Sequence, residues 1–379
     1  LIAQGTVDEL ITFTSNETFK SAGNWGEIQF RQTSTNCLLE YAVIEYGHNG
    51  IHCNQASPLI SNCTVQQHSN YGIYSESESD SQSNGPIIQA SSIIDNGSSG
   101  IYCTRSDLLV EDSTISNNQG YNGGISAYLQ WTDDKIAIRR NTIANNVNHG
   151  IRVWGYSQSD NGPQIEITGN VVTENQAEMS LDAIWSSDGQ FRVENVRAGI
   201  HIVESRYNWQ VSINGNTVSK HVNGVGIFTR NWSQMESNIV TGNLVGLMLE
   251  QNKPFNFNDL QDNISYGVYV VGKGASDLVA GYNWWGTTDG AVVANYIYDF
   301  YDDFNYYRVD YSPLMVEEVS GTEVVGPASP SIVINQGASV TEAVEVNLQL
   351  LAEGATEMMV SELTDFSDAA WQAYANNLT

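Results

Sequence analysis

Arg152 and His201 occupy the same place in a recurring phrase, "GIRV" beginning at 150 and "GIHI" at 199. Polyuronate elimination needs a base at the sugar C5 proton, usually Lys or Arg, and a cation that neutralises the carboxylate. Arg152, His201, Arg230 and Lys135 are the residues whose types fit that chemistry. Interleaved with them in sequence are Tyr128, Trp131, Trp154, Tyr156, Trp185, Tyr207, Trp209 and Trp232. Flat aromatic faces suit sugar rings, and the planar arginine fork suits uronate or sulfate oxygens. Hydrolysis would instead need two carboxylates about 5 to 9.5 Å apart. A further set is acidic: Glu76, Glu78 and Asp80 alternate on one loop, and Asp299, Asp302 and Asp303 cluster near residue 300. Such oxygen ligands suit Ca²⁺, although neither set has the spacing of a defined calcium loop and a solvated acidic turn reads equally well. No cofactor is required by any of these residues.

The elements that position them repeat. "SNCTV" at 61, "DSTISNN" at 112, "RNTIANN" at 140, "GNVVTEN" at 169, "GNTVSK" at 215 and "SNIVTGN" at 237 are one half of a unit. The other half is "GIHC" at 50, "GIYS" at 72, "GIYC" at 100, "GISA" at 124, "GIRV" at 150, "GIHI" at 199, "GIFT" at 226, "GLML" at 246 and "GVYV" at 267. Intervals of about 20 to 29 residues signal a solenoid. The runs are short, β-branched and alternating, and Gly or Asn closes each, so they read as strands joined by tight turns. The expected fold is all-β, a right-handed parallel β-helix. Ile51, Ile73, Ile101, Ile125, Ile151, Ile200 and Ile227 should then form one inward column, and Asn117, Asn145, Asn175 and Asn243 should stack at a turn.

The residue after each Gly-Ile should point outward. His52, Tyr74, Tyr102, Ser126, Arg152, His201, Phe228, Met248 and Tyr269 then line one face, with Asn54, Glu76, Thr104, Tyr128, Trp154, Val203, Arg230 and Glu250 two residues further on. Between "TENQ" and "AGI" an interval of about 46 residues replaces the usual period, so "AEMSLDAIWSSDGQFRVENVR" reads as an insertion, and insertions into solenoids map to one face, often the binding face. The aromatic series has a plainer reading, cross-strand stacking that stabilises a sheet.

With 43 acidic and 15 basic side chains and a net charge of -28, the chain repels nucleic acid and anionic membrane. No apolar run of about 18 residues offers a membrane-spanning helix, so no membrane insertion is expected. "LIAQGTVDEL" looks like the inside of a strand rather than a signal peptide. Cys37, Cys53, Cys63 and Cys103 fit no compact disulfide or zinc framework. Cys53 and Cys103 fall at one inward position two units apart, roughly 10 Å, too far to bridge. Buried thiols are the expectation, with a bridge from 37 to 63 as the exception left open.

The opening "GTVDELITFTS…NWGEIQF", the following "CLLEYAVIEYGHNGI" and the closing "NWWGTTD…YIYDFYDDFNYYRVDYSPLM" resemble secreted right-handed parallel β-helix repeat proteins, a group of carbohydrate-binding proteins and sugar hydrolases. The resemblance covers about residues 1 to 315 and implies fold and an extracytoplasmic, prokaryotic location; the group spans enzymes, binders and surface proteins, so it implies no single activity. The acid pairs at 133 and 302 lack the Gly-His-Gly and Arg-x-Lys segments of β-helical pectin hydrolases. Residues 316–330, acidic with two prolines, read as a linker. Residues 331–379 resemble the first half of a bacterial Ig-like module, a partial β-sandwich that truncation or strand exchange with another chain would explain.

The function expected from these residues is a non-catalytic extracellular or cell-surface protein for adhesion, glycan contact or assembly. Its partners would be a polysaccharide or neighbouring protein subunits. Two alternatives stay open. One is a polysaccharide lyase or glycoside hydrolase acting on an acidic polysaccharide. The other is a filament subunit or homo-oligomer completed through the C-terminal segment.

Overall fold

The computed structural model describes residues 1–77, 84–130, 134–156, 162–186, 190–204 and 209–318, and in the C-terminal stretch 328–334, 348–353, 357–358, 372–373, 375 and 377–378. Up to residue 318 the chain winds through three parallel sheets of nine, nine and eleven strands, each strand pairing with its counterparts in the coils before and after. Only one short α-helix, Gly290–Asn295, is present among the described residues, its first turn capped by the Asp289 carboxylate on the Ala291 N–H. This is the expected solenoid.

Inward positions alternate with outward ones in every strand, as the pleat requires. The isoleucines from Ile51 to Ile227 form one fully buried column in the third sheet, each directly opposite the next. The register survives the long interval: Ile151 pairs directly with Ile200. The second sheet supplies Ile44, Val65, Ile93, Ile115, Ile143, Val172, Val218 and Val240, and the first sheet Leu39, Ile60, Ile88, Val110, Ile138, Ile167 and Ile213, all completely buried. Each such side chain stabilises the fold by about 1.5–3 kcal/mol relative to exposure.

The glycine of each Gly-Ile pair has a packing cause. A Cβ on Gly100 would lie 2.7 Å from Asn118 Nδ2 and 2.9 Å from Ile115 Cγ2, and one on Gly150 would lie 2.5 Å from Val172 Cγ1 and 2.9 Å from Asn175 Nδ2. The space is taken by a polar ladder at the turn between the second and third sheets. It runs His68, Asn96, Asn118, Asn146, Asn175, His221, Asn243, Asn263, each passing backbone or side-chain hydrogen bonds to the next. Asn175 and Asn243 are members, as expected. Asn117 and Asn145 are not: they sit one residue earlier at φ of 58° and 57°, the left-handed turn position, and the ladder passes through Asn118 and Asn146. A second ladder, Asn141, Asn170, Asn216, Asn238, Asn258 and Asn283, closes the turn between the first and second sheets.

All four cysteines are free, buried thiols, including Cys37 and Cys63. Cys53 and Cys103 lie in one inward column with Ser75 between them, and burial raises the pKa of both.

The chain divides into two units, 1–320 and 321–379. In the second, Ala328–Ile334 pairs antiparallel with Leu348–Glu353, which pairs with Asn377–Leu378, and Glu357–Met358 pairs with Gln372–Ala373. Strand structure thus begins at 328, inside the stretch expected to be linker.

Candidate functional site on the third sheet

The outer face of the third sheet carries one continuous column: Gln29, His52, Tyr74, Tyr102, Ser126, Arg152, His201, Phe228, Met248, Tyr269 and Tyr298. Asn54, Glu76, Thr104, Tyr128, Trp154 and Val203 form the parallel column two residues on. The first is as read from the phrase spacing and the second is so as far as Val203, the strand register not extending to Arg230 and Glu250, yet their exposure divides the face into three zones.

In the first zone His52 bridges two carboxylates, with Nδ1 2.8 Å from Glu27 Oε1 and Nε2 3.0 Å from Glu76 Oε1. Tyr74 donates its hydroxyl to the other Glu76 oxygen at 2.6 Å, and its ring stacks on His52 at 4.8 Å. Burial and the Glu76 contact raise the Tyr74 pKa, so it stays a phenol and a donor.

The second zone is aromatic and basic. Tyr71 and Tyr102 stack at 4.9 Å, Tyr102 and Trp154 meet at 6.2 Å, and Tyr128 and Trp154 at 5.6 Å, all half-buried. The Arg152 guanidinium lies 4.3 Å over the Trp154 ring and donates to Asn122 Oδ1. Arg197 lies 5.0 Å over the Tyr121 ring and donates to its hydroxyl at 2.7 Å. Gln130 donates to the Tyr156 hydroxyl beside this floor.

The third zone is closed. The described parts of the predicted insertion, 177–186 and 190–197, fold back over the sheet, and Ile184 and Val196 join Phe228, Val245, Met248, Tyr269 and Val271 in a second buried apolar cluster. His201 is only 2% exposed, packed between His149 at 4.6 Å and Phe228 at 5.1 Å. Burial, then the neighbouring Arg152 and Arg197, hold its pKa well below the usual histidine value. The insertion covers this part of the expected groove instead of walling it.

Of the four candidate cations, only Arg152 lies on the open floor. His201 is sealed. Arg230 is held by both oxygens of Glu250, at 2.5 and 3.1 Å. Lys135 begins the strand Lys135–Arg139 of the first sheet, a different face from Arg152. Of the aromatics, Trp232 and Trp209 are buried in the solenoid core, the first donating to Pro254 O at 2.7 Å. Trp185 packs on Phe191 and Tyr306 within the covered zone. Neither a sealed indole nor one spent on packing can receive a sugar. Tyr128, Trp154 and Tyr156 stay on the open face; Trp131 and Tyr207 lie outside the described residues.

Glu78 and Asp80 also lie outside them, and Glu76 is engaged by His52 and Tyr74. The second acidic set is used by its own backbone. Asp299 accepts from the Tyr301 and Val309 N–H groups, Asp302 from the Asp299 N–H, and Asp303 from Asn305. Burial raises the Asp299 pKa. These carboxylates shape a turn, and among the described residues no three His, Cys, Asp or Glu side chains converge as metal ligands would.

Residues not singled out beforehand are Tyr71, Tyr121, Asn122 and Arg197. Each precedes a Gly-Ile pair by a few positions, as in "NYGI", "GYNGGI" and "VRAGI", and that offset was the available signal. A second concavity, about 660 Å³, lies on the first sheet and is lined by Asp107, Lys135, Arg139 and Glu166 among others. There Arg139 is clamped by Glu166 at 2.6 and 2.8 Å and by Glu111 at 3.1 Å, so its charge is already answered.

Residues 11–172 match the family model described as "Right handed beta helix region". No curated protein matches the chain. Among solved structures, "Crystal structure of pectate lyase Pel9A" aligns with a TM-score of 0.41 and 10% identity over 83% of this chain and 69% of that one, a likeness too distant to inform activity. The three stacked parallel sheets and the family match together make this chain a right-handed parallel β-helix protein.

Proposed function

We propose that this is a non-catalytic extracellular β-helix that contacts a glycan through the open zone of its third sheet. The observation that carries the reading is the cluster of half-buried Tyr102, Tyr128 and Trp154 rings, flanked by Arg152 and Arg197. Rings held at strand spacing, about 4.8 Å per coil, give a rigid apolar surface for sugar faces with little entropy to lose on binding. The non-catalytic reading is supported by the state of three candidate groups: His201 is sealed, Arg230 is paired with Glu250, and Lys135 is on the first sheet. The rival lyase reading would need a base beside a bound sugar, and the one candidate on the Tyr102–Trp154 floor among the described residues is Arg152, which lies over the Trp154 ring.

Titration calorimetry with a panel of neutral and acidic polysaccharides tests the proposal, together with an assay for new reducing or unsaturated chain ends. Binding of at least one polymer, weakened about 10-fold or more in Trp154→Ala and Tyr102→Ala, with no new ends, is expected. New ends that disappear in Arg152→Ala would overturn the non-catalytic reading.

A further inference from the structure

Basic side chains are scarce here, 15 against 43 acidic ones, and several are answered by a carboxylate. Arg139, Arg140, Arg192, Lys220, Arg230 and Arg308 each sit within ion-pair distance of Asp or Glu. Arg152 and Arg197 are two neighbouring guanidinium groups that, among the described residues, have no carboxylate within ion-pair distance. They are close enough that Arg197, after burial, helps to lower the Arg152 pKa. Holding two like charges together, one of them largely out of water, is costly unless something negative visits.

We propose that Arg152 and Arg197, with Tyr121, form an oxyanion subsite that takes the carboxylate or sulfate of an acidic sugar lying on the Tyr102–Tyr128–Trp154 floor. This rests on the glycan-contact reading above and adds the class of sugar. Arg152 uses Nη1 on Asn122 Oδ1, while its Nε is buried with no acceptor within reach. Arg197 spends Nη1 on the carbonyls of Glu194 and Val196, at 2.6 and 3.1 Å, and Nη2 on the Tyr121 hydroxyl. A phenol that accepts from Arg197 keeps its own proton to donate, and Tyr121 is 58% exposed. Both guanidinium planes are pinned on aromatic rings, Trp154 and Tyr121, so the forks are oriented before any ligand arrives.

The test compares a polyuronate, the same polymer fully methyl-esterified, a sulfated glycan and a neutral glycan on the full chain. The wild type should bind the charged polymers about 10- to 100-fold more tightly than the ester, the range for a lost charge-assisted hydrogen bond. Arg152→Gln and Arg197→Gln should erase that preference, weakening the charged polymers far more than the ester, whereas Trp154→Ala should weaken both alike. Arg140→Gln, paired with Asp112 at a different turn, should change neither. Should a glutamine variant not fold, Arg197→Lys keeps the charge without the fork and should lose most of the preference. Equal affinity for acid and ester, or full preference in both arginine variants, would sink the subsite while leaving the aromatic floor standing. No binding of any polymer would remove both.

Discussion

Asn146→Ala should destabilise the solenoid by about 3–5 kcal/mol, the upper range for a single substitution. Asn146 Nδ2 donates to Ile115 O at 2.9 Å, Ala144 O at 3.1 Å and Asn175 Oδ1 at 3.0 Å, and its Oδ1 accepts from the Asn118 N–H and Nδ2 at 3.1 and 2.9 Å. Truncation leaves these partners buried and unpaired, at about 1–3 kcal/mol for each group that finds no substitute. Each coil contacts only its neighbours, so the defect weakens the interfaces above and below it. Asn117→Ala, at an exposed left-handed position, should cost only about 1–2 kcal/mol. Denaturant unfolding of the two variants measures the contrast. Equal losses would mean that the ladder contributes no more than the turn.

A large pH effect should come from histidines that replace asparagine in that ladder. His221 donates Nδ1–H to Asn243 Oδ1 at 2.9 Å, and its Nε2 accepts from Asn175 Nδ2 at 3.3 Å. His68 accepts at Nδ1 from the Gly47 N–H at 3.0 Å and donates Nε2–H to Ile44 O at 3.1 Å. In both, the neutral ring satisfies both partners, and a second proton would face an N–H. Burial pushes each pKa down to about 4 from an ordinary value of 6.5.

A folded pKa below the unfolded one means that the unfolded chain binds the proton first. The stability these rings contribute is therefore complete above about pH 6.5, declines as pH falls toward 4, and changes no further below that. The gap corresponds to about 3 kcal/mol for each histidine. Buried carboxyls with raised pKa, Asp259 at about 6 among them, act in the opposite sense, so the difference between wild type and His221→Asn is the informative quantity. Between pH 7 and pH 4 the wild type should lose about 3 kcal/mol more than the variant, in which asparagine continues the ladder. Parallel stability curves would show that protonation of His221 is accommodated without cost.

Much of the fold was legible because a solenoid writes its register into the chain: the Gly-Ile phrase places the inward isoleucine column and both outward columns. The ladder was misplaced by one residue at two coils because Asn117-Asn118 and Asn145-Asn146 are doublets. Nothing in a doublet says which asparagine takes the left-handed turn and which turns inward. The glycines were legible as punctuation, but their cause, the ladder amide in the place of a Cβ, needs three dimensions.

The site was less legible for a different reason. Trp209 and Trp232 lie beyond the periodic strands, where alternation no longer tells inward from outward, and their large apolar surface is buried in the core. The insertion was recognised from the broken period. Its docking onto Phe228 and Met248, however, depends on apolar residues such as Ile184 and Val196 that show no periodicity. Lys135 is close to Arg152 in sequence, yet the chain passes through the second sheet between them, so the two lie on different faces.

The central claim, that the open third-sheet face is the glycan-contacting surface, is tested most directly by hydroxyl-radical footprinting of the full chain with and without saturating polyuronate. The account predicts that oxidation of Tyr102, Tyr121, Tyr128 and Trp154 falls on binding while Leu109 and Ile87, in the first-sheet groove, are unchanged. Protection of Leu109 and Ile87 with no change at Trp154 would contradict it and move the binding surface to the first sheet.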